Sequence, residues 1–117
     1  MINGEESTSR IERFHELAAL GEKGLEALYS EKLKTWFFDF LASELPETPQ
    51  PPVNSSKDLA AAINQLAQNK RAWAQRLGGL VIGLHDSQTQ EQAALELRQF
   101  MQQCPWRYLR DSARSKL

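Results

Sequence analysis

At 117 residues the chain has the length of one small domain, and with 41% apolar and 25% charged side chains it has the composition of a globular protein, which excludes wholesale disorder. Its formal net charge of −1 gives no global attraction to nucleic acid or to an anionic membrane. The lone cysteine, Cys104, excludes an internal disulfide, and no apolar run approaches the roughly 20 residues that span a bilayer.

Residues 1–8 are polar and are expected to form a flexible arm. They show no basic segment followed by an apolar stretch, so no secretory signal is expected and the expected location is cytoplasmic. Ser9, with Glu12 three residues on, has the pattern of a capping box and predicts a helix start. From there Ile11, Phe14, Ala18, Gly21, Leu25 and Leu28 recur at alternating intervals of three and four, the seam of a packed helix, and Leu17 and Leu20 widen it. Gly21 and Gly24 each weaken that helix by about 1 kcal/mol relative to Ala, and either break it or admit a close neighbour.

Ser30 is positioned to cap a second helix over 31–45, unless the first runs straight on. Leu33, Trp36, Phe37, Phe40, Leu41 and Leu45 form a broad apolar stripe on it. Phe38 falls outside the stripe. Pro46 ends the helix, and the connector 46–54 holds Pro46, Pro49, Pro51 and Pro52. It is expected to be extended, a stiff crossover between helical halves. The PxxP spacing at Pro49–Pro52 also fits a polyproline ligand.

Asn54, Ser55 and Ser56 are cap candidates for a third helix, with Asp58 in its first turn. That helix carries Leu59, Ile63, Leu66, Trp73 and Leu77 and is rich in alanine. Residues 78–84 pull both ways: Val81 and Ile82 favour a strand, three glycines disfavour a helix, and a lone strand has nothing to pair with. A helix, kinked at Gly78-Gly79, is the expected outcome. Asp86 or Ser87 starts a turn, and Thr89 with Gln92 predicts a second capping box. The fourth helix carries Ala93, Leu97, Phe100, Met101 and Cys104. Pro105 ends it or begins a short amphipathic turn over 106–110, within a basic tail 105–117. The expected fold is all-α, a single helical domain built as a small bundle of about four helices, with the proline-rich crossover between helices 2 and 3.

Charge is unevenly spread. Residues 1–47 hold ten acids and five bases, and residues 105–117 hold Arg107, Arg110, Arg114 and Lys116 against Asp111. An acidic front and a basic tail can attract each other, within one chain or between two.

No constellation for catalysis stands out. His15 and His85 are the only histidines. Neither belongs to a pair at i, i+4, so no metal site is expected. Cys104 lies on an apolar helical face beside Pro105, the setting of a buried structural thiol rather than of a reactive one. Residues 78–83 lack the G-x-G-x-x-G pattern and the Lys-Ser/Thr ending of phosphate loops, so no cofactor is expected. The chain is expected not to be an enzyme, unless a partner chain supplies missing groups.

The feature that asks for a function is the run Trp36-Phe37-Phe38-Asp39-Phe40. Three successive aromatics on a helix point in directions about 100° apart, more than one small core readily covers. Aromatics dominate interface energies. The expected protein interface is Leu33, Trp36, Phe37, Phe38 and Phe40, joined by Trp106, Arg107, Tyr108 and Arg110 of the tail. Phe38, left without an inward place, carries most of that expectation. The function that follows is a non-catalytic, protein-binding regulator, expected to be a homodimer, that occludes a partner's surface as an anti-activator does when it sequesters a transcription regulator. A secretion chaperone and a toxin-immunity protein share this character. A nucleic-acid-binding protein using Lys70, Arg71, Arg76 and the tail arginines is the alternative of a different class, and it is poorly equipped, since residues 89–104 expose mainly Gln and Glu with a single Arg98.

Overall fold

The computed structural model describes residues 3–117, with side chains from Ser9 onward. The described residues form helices and no strand: α1 (Asn3–Ala19), α2 (Gly21–Leu28), α3 (Glu31–Glu44), α4 (Ser56–Leu84), α5 (Gln90–Gln103) and α6 (Arg107–Ser115). The chain is therefore all-α, with six helices among the described residues where about four were expected. The described residues up to 69 form one compact unit and residues 70–117 a second, the division falling inside α4.

In the first unit the expected cap at Ser9 does not form. Met1 and Ile2, the start of the expected arm, lie outside the described residues, and the backbone is already helical from Asn3. Ser9 therefore sits within α1. The helix ends where Gly21 takes φ +74°. That left-handed conformation costs an L side chain roughly 1–2 kcal/mol and costs glycine nothing, so the chain breaks at this residue. The Leu20 amide donates to the Leu17 carbonyl at 3.1 Å, tightening the last turn. The predicted seam holds for Ile11, Phe14 and Leu25, all buried. It fails at Leu28, which is 51% exposed. Leu25, beyond the break, keeps its place on the seam, and Leu28 is the last residue of α2.

Ser30 does cap α3. Its backbone is extended and its hydroxyl oxygen accepts from the Leu33 amide at 3.0 Å. Phe37, Phe40 and Leu41 are buried on the inner face as the periodicity predicts. The Phe40 ring stacks on Phe14 of α1, with centroids 4.9 Å apart and planes within 3°. Residues 45–55 have no regular secondary structure apart from a turn, in which the Thr48 amide donates to the Leu45 carbonyl at 3.0 Å. At the start of α4 the Ser55 oxygen accepts from the Asp58 amide at 3.2 Å, and the Asp58 carboxylate accepts from the Asn54 amide at 2.9 Å. The first bond satisfies an amide that a bare helix end would leave without a partner, and the second ties the Asp58 carboxylate to the residue before the cap.

Helix α4 is continuous for 29 residues and runs through 78–84. The alanine-rich body propagates helix into the glycines, and no strand partner exists among the described residues. In the second unit Gly83 has a definite use: a Cβ there would lie 3.0 Å from the Ala93 Cβ, so its bare backbone lets α5 approach. The expected Thr89–Gln92 capping box does not form. The Thr89 hydroxyl turns back and donates to the Gly83 carbonyl at 2.8 Å, satisfying the end of α4 rather than the start of α5. Asp86 Oδ1 accepts from the Gln88 amide at 2.9 Å, which fixes the turn between the two helices. Ala93, Leu97 and Phe100 are buried along α5. Pro105 lacks an amide and interrupts the ladder after Cys104. Beyond it the tail forms a full helix, α6, rather than a short turn, with Leu109 and Ala113 buried.

Candidate binding cleft

Three helices of the first unit converge on a surface cleft of about 310 Å³. It is lined by Arg13 of α1, Leu28 at the end of α2, Ser30, and Lys32, Leu33 and Trp36 of α3. Three local events assemble it. The Gly21 break shortens α1, the cap at Ser30 sets where α3 begins, and the spacing Leu33–Trp36 places both side chains on one helical face. Trp36 is half-buried and stacks on Phe40 with centroids 5.3 Å apart, so its indole is held from below while part of it reaches the cleft. Leu28, Leu33 and Trp36 make the apolar part of the lining, and Arg13 and Lys32, both exposed, make the charged part.

Of the residues expected at an interface, the cleft gathers Leu33 and Trp36. Phe37 and Phe40 are fully buried core. Phe38 is half-buried, its ring tilted against Phe37 at 5.8 Å, and it does not line the cleft. Trp106 is fully buried. Tyr108 is half-buried beneath the Lys70 ammonium, which stands 5.6 Å from its ring centroid. Arg107 is exposed and 3.9 Å from Asp111, and Arg110 is half-buried. Arg13, Leu28, Ser30 and Lys32 were not expected at an interface. Ser30 carries a cap signal in the sequence and Lys32 follows it at the start of α3, whereas Arg13 and Leu28 lie on either side of the break at Gly21, which the sequence offers only as one of two outcomes for that glycine.

Reaction chemistry has little to build on. Cys104 is buried, its thiol donates to the Trp106 carbonyl at 3.9 Å, and burial pushes its pKa above the ordinary value despite that bond and the pull of Arg110, Arg76 and Lys70. Among the described residues no three His, Cys, Asp or Glu side chains are grouped to hold a metal. No helix there is long and apolar enough to cross a membrane. In the comparisons with known proteins, no family model, no curated protein and no solved structure matches the chain.

Proposed function

We propose that this chain is a non-catalytic, protein-binding regulator that occludes a partner's surface, in the manner of an anti-activator that sequesters a transcription regulator. The observation that supports the reading is the cleft of the first unit, where Leu28 and part of Trp36 remain in water. Covering such surface yields about 25 cal/mol per Å². An indole held against a ring is a rigid anchor that loses little entropy on binding. The regulator is proposed to act in the cytoplasm as a homodimer, with the proline-rich segment as a stiff crossover.

The nucleic-acid reading loses most of its bases to internal partners. Lys70 is only 8% exposed and lies over Tyr108. Arg76 covers the Trp73 and Phe100 rings and donates to Gln103 at 3.2 Å. Arg107 and Arg114 flank Asp111. Few cations remain for phosphates.

The test is affinity capture from the source cell with the unaltered protein and with Leu28→Lys, followed by binding of the purified partner to both. A partner that binds the unaltered protein and loses affinity for Leu28→Lys is the expected result. A partner bound equally by both refutes the cleft as the binding site. Light scattering reads the mass of the free protein, and a monomer at working concentration removes the homodimer from the proposal.

A further inference from the structure

The first unit is acidic. Residues 1–69 hold eleven acids and six bases, a net −5. Two of those six bases, Arg13 and Lys32, line the cleft, and no acid does. Neither makes an ion pair among the described residues, although Glu12, Glu16 and Glu31 are their neighbours in sequence. In a unit with a surplus of carboxylates, cations left without a carboxylate beside an apolar floor form a local island of opposite sign. Leu28, Leu33 and Trp36 supply that floor.

We infer that the occupant of this cleft is a peptide segment of a partner protein that presents a large apolar side chain beside a carboxylate. The apolar side chain covers Leu28 and Trp36, and the carboxylate meets Arg13 and Lys32. The volume of about 310 Å³ suits one such anchor, at the lower end of the range for ligand pockets. The net −5 of the unit as a whole limits how acidic the segment can be. Carboxylates beyond the anchor are repelled at long range, so the rest of the segment is neutral or basic. Charge here selects the partner and its register, while the buried apolar area carries most of the affinity. The inference rests on the cleft being the protein-binding site and adds the chemistry of what it binds.

A displayed library of random peptides of about 12 residues, selected on the full-length protein, tests both parts. The expected winners carry Asp or Glu next to Leu, Ile, Phe or Trp. Synthetic winners should lose at least about tenfold in affinity against Arg13→Glu/Lys32→Glu, and weaken on raising salt from about 50 to about 500 mM. The same peptides with the carboxylate replaced by lysine should recover binding to that double variant. Arg98→Glu, on an exposed position of the second unit, should change nothing. Arg13 and Lys32 are exposed, so the double variant keeps the core intact, and an unchanged helical circular dichroism spectrum verifies it.

If the winners lack carboxylates, or bind Arg13→Glu/Lys32→Glu as well as the parent, the acidic anchor is overturned. Loss of binding to Leu28→Lys would then still uphold the cleft. If neither Leu28→Lys nor Trp36→Ala weakens the winners, the cleft is not the site, and both readings fall. A selection that enriches nothing overturns both as well.

Discussion

The three glycines of α4 give a signed test of the stretch 78–84. Gly78 and Gly79 are exposed, and a Cβ built on either meets nothing within 4 Å. Replacing either with Ala should therefore deliver the intrinsic helix preference alone, a gain of about 0.8–1.0 kcal/mol each, or a little under 2 kcal/mol for the pair. Gly83 should behave oppositely. Its added Cβ would lie 3.0 Å from the Ala93 Cβ and 3.7 Å from the Thr89 hydroxyl oxygen, so α5 must yield. Overpacking of that kind costs about 1–3 kcal/mol, which outweighs or cancels the helix gain and leaves a net loss of roughly 0–2 kcal/mol. Ala93→Gly removes the opposing methyl group. In a double-mutant cycle the Gly83→Ala penalty should shrink when Ala93 is glycine, with a coupling of about 1 kcal/mol. Urea denaturation followed by far-ultraviolet circular dichroism reads the unaltered protein and each variant, and the transition midpoints carry the sign. If Gly79→Ala destabilises, residues 78–84 are not a solvent-facing helix. If Gly83→Ala is as favourable as Gly79→Ala, the close approach of α4 and α5 is absent.

Other expectations follow from the core, the caps and the thiol. Phe40→Ala should cost about 3–5 kcal/mol, because it empties a fully buried site stacked on Phe14, whereas Phe38→Ala, at a half-buried position, should cost about 1 kcal/mol. Similar losses at both positions in chemical denaturation would contradict the assignment of Phe40 to core and Phe38 to the margin. Ser55→Ala should lower stability by about 1 kcal/mol through loss of the α4 cap, and Thr89→Ala should fray the end of α4 rather than the start of α5, read by amide hydrogen exchange at 84–86. Cys104 should resist a water-soluble thiol reagent until the protein unfolds. Burial holds its thiol protonated above the ordinary value of 9.0, so the unfolded chain releases that proton first. This contribution to stability is complete below pH 9.0 and is lost as pH rises toward the raised folded value, and Cys104→Ala should flatten that decline.

Sequence reading fared best where one residue decides the matter. Ser30 and Ser55 cap because a hydroxyl at the right offset reaches a free amide; the sequence offers Ser30 as a cap unless the first helix runs on, and Ser55 as one of three candidates with Asn54 and Ser56. The stripe through Phe37, Phe40 and Leu41 follows from helical period alone. The failures share a cause. Ser9 and Thr89 have the same capping chemistry, yet helix continues upstream of one, and the hydroxyl of the other finds a better acceptor at the end of α4. A local pattern states what a side chain can do, and the tertiary fold chooses among its options. The aromatic run shows the same limit. Helical geometry shows that Trp36, Phe37 and Phe38 cannot all face inward, but not which of them adjoins a cleft, because that depends on where α1 and α2 stop. Glu44 is wholly buried at the end of α3, although a glutamate there reads as surface.

The bend at Gly21 ties these observations together. On an unbroken helix Arg13 and Leu28, fifteen positions apart, would be separated by about 22 Å along the axis, at 1.5 Å per residue. They could not then line one cleft of about 310 Å³. The left-handed residue brings them to the same side of α3, so the cleft exists because a single position tolerates φ +74°. Gly21→Ala should therefore do two things. It should cost about 1–2 kcal/mol in stability, the strain of an L side chain in that conformation, with no clash to add, since a Cβ there meets nothing within 4 Å. To escape the strain, α1 should extend into α2, raising helical signal while separating Arg13 from Leu28. Binding of the selected peptides should then fall more than the stability loss predicts in protein that is still folded at the assay temperature. Lower stability with undiminished binding would show that the bend sets stability without setting the cleft.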